Sequence, residues 1–437
     1  NNVAVGNQAL QTNQTGTELV AVGHEALKAN LGDACVAVGF QALLANTTGA
    51  SNIAIGSTAL AANTTGSRNI GIGSNANDSS DTENDNIAIG YNAMTTDSAG
   101  GLQNLAIGNY ALQALTSGDG NMALGHNAGY TVTTGSRNVG LGLSSLETNN
   151  ADDNTAVGYN AMNATTTGAD NVAVGRDALV ANTTGTRNVA VGKDALKTST
   201  TTGSNTAIGD NALKLSSSGT YLTAVGAGAL DTNTTGAFNT AVGAVSMDAN
   251  TTGSYNTALG AAALDANTDS DNNTALGAYA LSDNSTGSEN TAVGMEALKG
   301  NTTAEDNTAI GYAALKANTT AENNVAVGAR AMEANTTGAS NMAIGSRAME
   351  ANTTGTRNLG IGHEAYKNSD TENDNIAIGY YAMRTNTAGG TGNLAVGNYA
   401  LDALTSGDGN VAFGQNAGGA ITSAGQNVAL PSPDINA

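Results

Sequence analysis

Asn171-Val-Ala-Val-Gly-Arg-Asp-Ala-Leu-Val-Ala-Asn-Thr-Thr-Gly-Thr-Arg187 is one copy of a unit that fills the chain. The pattern Asn-x-Ala-(Val/Ile/Leu)-Gly-x-x-Ala-(Leu/Met)-x-x-Asn-Thr-Thr-Gly-x-x returns cleanly at Asn239–Tyr255 and with local drift elsewhere. Its first glycine falls at 6, 23, 39, 56, 73, 90, 108, 125, 142 and 158, then every 17 residues from Gly175 to Gly379, and last at 397 and 414. That makes 25 units and a degenerate final one over 427–437, in which Pro431 takes the glycine position. Spacing shifts by single residues only, a change that loops absorb but that would swap the two faces of a strand.

The x-Ala-Val-Gly segment is short, β-branched and bounded by Asn and Gly, which predicts a strand. The Ala-Leu-x-x-Asn segment reads either as a second strand or as a tight irregular turn. Asn-Thr-Thr-Gly reads as a turn in which Asn and Gly supply positive φ. A 17-residue unit is too short for a helical-hairpin repeat. The expected fold is therefore all-β: one continuous β-solenoid over 1–437, a parallel β-roll or β-helix of about 26 tandem 17-residue coils. At ~4.8 Å per coil such a stack would extend about 120 Å.

Two rows explain how coils would keep register. Asn opens 23 of the 26 units, with Leu19, Cys35 and Leu222 as the exceptions. Asn171, Asn188, Asn205, Asn239, Asn256 and Asn273 are thus expected to form a buried ladder of stacked amides. Ala holds the third position except at Gly71, Gly140 and Gly360, so that row has no room for larger side chains. A longer repeat is nested in the short one: Asp81–Gly90 recurs at Asp370–Gly379, 289 residues on, as expected of segmental duplication.

Composition agrees with a thin, repetitive core. The 437 residues include 57 Gly, no Trp and three Phe. With 15 basic against 36 acidic residues the net charge is −21, which repels nucleic acid and anionic membranes. No apolar run approaches the ~20 residues of a spanning helix, so no membrane insertion is expected. The single cysteine, Cys35, excludes an intrachain disulfide. The chain opens inside a repeat, at Asn1-Asn2-Val3, which we read as a processed or incompletely known N-terminus.

Chemistry-bearing groups are dispersed. His24, His126 and His363 each follow a motif glycine many coils apart and cannot share a metal within one chain. Cys35 replaces a ladder Asn and reads as a small buried filler. Acidic turns offer Asp81, Asp85, Asp370 and Asp374 as candidate Ca²⁺ ligands, but the pattern matches no EF-hand loop and solvated carboxylates are the simpler reading. Asn46, Asn63, Asn182 and Asn250 stand in glycosylation sequons. Stacked Thr rows raise ice binding, weakened because these threonines fall in the presumed turn. We find no nucleophile elbow, Walker loop or dinucleotide fingerprint, and expect neither enzymatic activity nor a cofactor.

The units at Asn171–Gly185 and Asn205–Leu213 resemble the repeats of phage and bacterial tail-fibre-domain proteins, and their x-Ala-(Val/Ile)-Gly core is similar to the head repeats of trimeric autotransporter adhesins. The resemblance implies a homotrimeric fibre on a virion tail or cell surface, extracellular, used as a stiff spacer and attachment element. The alternative is an adhesin that recognises glycan, or less readily ice, through its surface rows. Association of copies also follows from the strand, whose second and fourth positions point opposite to Ala and are apolar in most coils. Thr206, Thr240, Thr257, Thr274, Thr291 and Thr308 make one of those rows polar over the middle of the chain. Three copies are favoured because the small Ala row would suit close approach around an axis.

Overall fold

The computed structural model describes residues 1–96, 100–386 and 389–430. Contacts divide the chain into two compact units, Asn1–Thr220 and Tyr221–Ala437. Each is a parallel β-solenoid with no helix among its described residues. The first carries β1 (Val3–Val5) to β13 (Thr206–Ile208), the second β14 (Thr223–Val225) to β26 (Val428–Ala429). Pro431, the mark of the degenerate last repeat, lies outside the described residues.

Each coil contributes one three-residue strand, and register follows the repeat. In β11 (Val172–Val174) and β12 (Val189–Val191), Val172 lies opposite Val189, Ala173 opposite Ala190 and Val174 opposite Val191. Ladders continue around the coil: Asp177 N–H donates to Tyr159 O at 3.0 Å, and Leu179 N–H to Ala195 O at 3.0 Å. Segments outside the strands thus also pair with the coils before and after, which satisfies backbone groups that a buried loop would leave bare.

The Ala-Leu segment is a tight turn rather than a second strand. Positive φ falls where the sequence reading did not place it. In this coil it occurs at Gly175 (137°), Asp177 (57°), Leu179 (49°) and Arg187 (58°), and not at Asn182 or Gly185. A left-handed leucine costs about 1–2 kcal/mol. Full burial of Leu179 offsets this, since an aliphatic side chain of that size contributes ~1.5–3 kcal/mol. Gly175 is needed both for its φ and for space, because a Cβ there would lie 2.7 Å from the carbonyl carbon of Gly192.

The core is built from the third, eighth and ninth positions, as in Ala173, Ala178 and Leu179, all fully buried. Val172 and Val174 point outward and are only half-buried. This corrects one step of the trimer argument: the Ala row fills the inside of its own coil and is not free to approach another copy. The Gly substitutions in that row make space for bulk. A Cβ at Gly360 would lie 2.8 Å from Met349 Cγ, and the following turn carries Tyr366, the largest fully buried side chain. Its hydroxyl meets the Asn375 amide at 2.5 Å and the Asn386 amide at 3.3 Å.

Candidate functional site

The ladder asparagines act as clamps between coils. Asn171 Oδ1 accepts from Asn188 N–H at 2.9 Å, while Asn171 Nδ2 donates to Gly185 O at 2.9 Å. One side chain therefore holds both ends of the four-residue segment that leads into the next coil. Asn188 repeats this on Asn205 N–H (3.1 Å) and Thr202 O (2.8 Å). Asn239 does so on Asn256 N–H (2.9 Å) and Gly253 O (2.6 Å), and Asn256 on Asn273 N–H (2.9 Å) and Ser270 O (2.7 Å). Asn205 and Asn273 donate to Gly219 O and Gly287 O, each at 2.9 Å. All six are fully buried. Direct amide-to-amide bonds of the expected kind join Asn188 to Asn171 at 3.1 Å. From Asn239 to Asn273 the side chains bond chiefly to backbone.

A second buried ladder runs through the Asn of Asn-Thr-Thr, which sequence reading took for turn chemistry alone. Asn63 donates to Asn46 at 2.7 Å, Asn250 to Asn233 at 2.7 Å and Asn318 to Asn301 at 2.9 Å. Its fixed spacing was the same signal that revealed the first ladder. Asn46, Asn63, Asn182 and Asn250 are fully buried, so these sequons are closed to glycosylation in the folded chain. The first threonine of each pair is committed too, while the second is exposed: Thr251 Oγ1 donates to Thr268 O at 2.9 Å and Thr302 Oγ1 to Thr319 O at 3.0 Å. These hydroxyls hold coils together rather than facing water.

Cys35 sits fully buried in the ladder and takes over the asparagine's role. Its Sγ lies 3.4 Å from Gly49 O, the carbonyl 14 residues on that an Asn amide would meet. Burial pushes the thiol up from its ordinary range, which keeps it unreactive. Leu19 and Leu222 fill the same place without a polar group.

The candidate Ca²⁺ ligands are engaged elsewhere. Arg68 grips Asp85 at 2.5 and 2.8 Å, and Arg357 grips Asp374 at 2.6 and 2.8 Å; hydrogen bonds from these guanidinium groups hold both carboxyls below their usual range. The Asp81 carboxylate accepts from Thr64 Oγ1 at 3.0 Å, whereas Asp370 accepts from Thr353 Oγ1 at 2.8 Å through its backbone carbonyl only. Among the described residues no three His, Cys, Asp or Glu side chains gather as a metal would require. No helix of those residues is long and apolar enough to cross a membrane.

Two features of the outside remain. One is the strand face, where Ile55, Ile107 and Met122 in the first unit and Leu259, Ile310 and Ile344 in the second are each more than a third exposed. The other is a set of aromatic clusters on the turn after the motif glycine. Tyr110 meets Tyr91, His126 and Tyr130 with ring centroids 5.4, 5.7 and 6.2 Å away. Tyr380 stacks on Tyr381 at 4.0 Å, and both meet Tyr399. The Tyr380 hydroxyl is pushed up to about 12, first by its hydrogen bond with Tyr381.

No protein-family model matches the chain, and no curated protein matches its sequence.

Proposed function

We propose that the chain is a structural, non-enzymatic fibre element of a virion or cell surface, extracellular, that works as a homotrimer and serves as spacer and attachment element. The observation that carries this reading is the outward strand face. In nearly every coil it presents two apolar or Thr side chains, half-buried or exposed, in register with the coils before and after. Monomers seldom leave a contiguous apolar patch of more than a few hundred Å² open, so a continuous stripe of this kind calls for a cover. A partner that matches it needs the same rise from coil to coil, and a second copy of this chain has it by construction. Three copies rest on the resemblance of the repeat to trimeric fibres. The interior supports the spacer role, because both Asn ladders and the backbone bonds spend their strength on holding successive coils together.

Native mass spectrometry of the full chain tests this directly. A trimer is expected, and Val191→Lys with Val174→Lys should release monomers that keep the β circular-dichroism signal. A wild-type chain that stays monomeric at high concentration would sink the reading.

A further inference from the structure

Aromatic residues are scarce here, yet they are not spread evenly. Six of the twelve tyrosines and two of the three histidines fall in two clusters, one in each unit. Both occupy the turn after the motif glycine, and Tyr91 and Tyr110 recur as Tyr380 and Tyr399, at the 289-residue displacement of the internal duplication. Each tyrosine pair is supported alike from below. Asn109 Oδ1 accepts from Tyr91 N–H at 3.0 Å, and Asn398 Oδ1 from Tyr380 N–H at 3.0 Å.

Ring orientation separates Tyr110 and Tyr399 from the stack of Tyr221, Phe238 and Tyr255. Tyr221, Phe238 and Tyr255 stack within 8° of parallel, with centroids 5.0 and 5.1 Å apart, and close their faces on one another. Tyr91 and Tyr110 instead meet at 89°. In the second cluster Tyr380 is stacked with Tyr381 and His363, but Tyr399 stands edge-on to both tyrosines, at 71° and 83°. Edge-to-face packing leaves ring faces open beside hydroxyl, imidazole and amide groups. Between Tyr110, His126, Asn127 and Tyr130 lies an open cleft of about 370 Å³. That is the scale of a small-ligand site.

We propose that these two clusters, centred on Tyr110 and on Tyr399, are binding patches for neutral saccharides. A pyranose ring offers an apolar C–H face to stack on a tyrosine and hydroxyls at its rim to meet His126, Asn127 and the phenol groups. The neutral class follows from the surroundings. The cleft residues around Tyr110 carry no carboxylate, lysine or arginine. At the second cluster the cations are spent: Lys367 and Arg384 each lie 3.0 Å from the buried Glu364 carboxylate. Arg384 also covers Tyr381, 4.4 Å from its ring centroid, and braces the platform. This goes beyond the spacer reading and needs no second copy, so either can hold without the other.

The test uses the full chain and an immobilised panel of neutral di- and trisaccharides of glucose, galactose, mannose and N-acetylhexosamines, followed by calorimetry with the strongest member. Two equivalents per chain are expected. Tyr110→Ala and Tyr399→Ala should each remove one, and the double variant should weaken binding at least about tenfold. Tyr110→Phe, which keeps the ring, should retain binding and guards against a folding artefact. Tyr255→Ala should bind as wild type does. Retention of no panel member, or binding that survives the double variant, would overturn the assignment. So would a loss that tracks a change in oligomeric state, which would make the clusters contacts between copies.

Discussion

Val189 and Ala190 are neighbours on one strand, and they live under opposite rules. Ala190 belongs to a row that is buried in every coil but the first and the last and holds only Ala or Gly. Val189 belongs to a row that holds Val, Ile, Leu, Met or Thr and is half-buried or exposed. The inner row is fixed by space, since each Cβ faces side chains of its own and adjacent coils. The outer row meets no such limit, yet it stays mostly apolar. A solvent-facing strand normally alternates apolar and polar, and the departure from that rule is the ground for the association proposed above. The fold is written on one face, and the proposed contact between copies would use the other.

The sharpest way to break that contrast is to charge the inside. Asn188→Asp keeps the acceptor for Asn205 N–H but replaces the donor facing Thr202 O with a second oxygen. An uncompensated buried charge costs roughly 3–5 kcal/mol, and chemical denaturation should show a loss of that size at neutral pH. The sign with pH is fixed. Burial raises the folded-state pKa of the new carboxyl, so the penalty is full above that value and fades as pH falls through it. Asn188→Leu should cost less, because Leu19 and Leu222 already occupy that place. A variant as stable as wild type at pH 7 would show that the ladder holds nothing.

Next in size is the pair on the strand itself. Ala190→Leu inserts bulk into a filled row and should cost about 1–3 kcal/mol. Val189→Lys, one residue away, should change the unfolding of a single chain by less than ~0.5 kcal/mol while disrupting association of copies. If both variants unfold alike, the inner and outer faces are not distinct.

Most of this fold could be read from spacing, because a solenoid repeats its physics every coil. The strand, the first Asn ladder and the inward Ala row follow from side-chain size and polarity at fixed positions. The positions of positive φ could not be read. Nothing in the identity of Leu179 marks it as left-handed, and that conformation is chosen by packing against adjacent coils. The second ladder was hidden by habit, since Asn-Thr-Thr-Gly fits a turn and its asparagine was assigned to the backbone. The aromatic clusters were invisible for another reason. Tyr91, Tyr110 and Tyr130 are about 20 residues apart in sequence and meet only because their coils stack.

The smallest effect tests whether outer rows can carry strain. Asp231, Asp248 and Asp265 occupy the same position of three successive coils, and the carboxyl of Asp248 is pushed up first by burial and then by Asp231 and Asp265. Asp85 and Asp374 lie at the opposite extreme, held low by Arg68 and Arg357. The two cases must respond to acid with opposite signs. A lowered carboxyl contributes stability that is present above its unfolded pKa and lost as pH falls through the folded value. A raised carboxyl imposes a penalty that is full at neutral pH and relieved as pH falls through the folded value, where the fold takes up the proton before the unfolded chain does. Asp248→Asn should therefore stabilise the chain at pH 7, by roughly 0.2–0.5 kcal/mol once solvent screening of a half-exposed group is allowed for. The gain should vanish below the ordinary carboxylate range. Asp85→Asn should do the reverse, weakening the fold at pH 7 and making no difference in acid. Denaturant midpoints for both variants across a pH series would decide it, and a gain for Asp248→Asn that grows toward low pH would show that the row is not a site of like-charge repulsion.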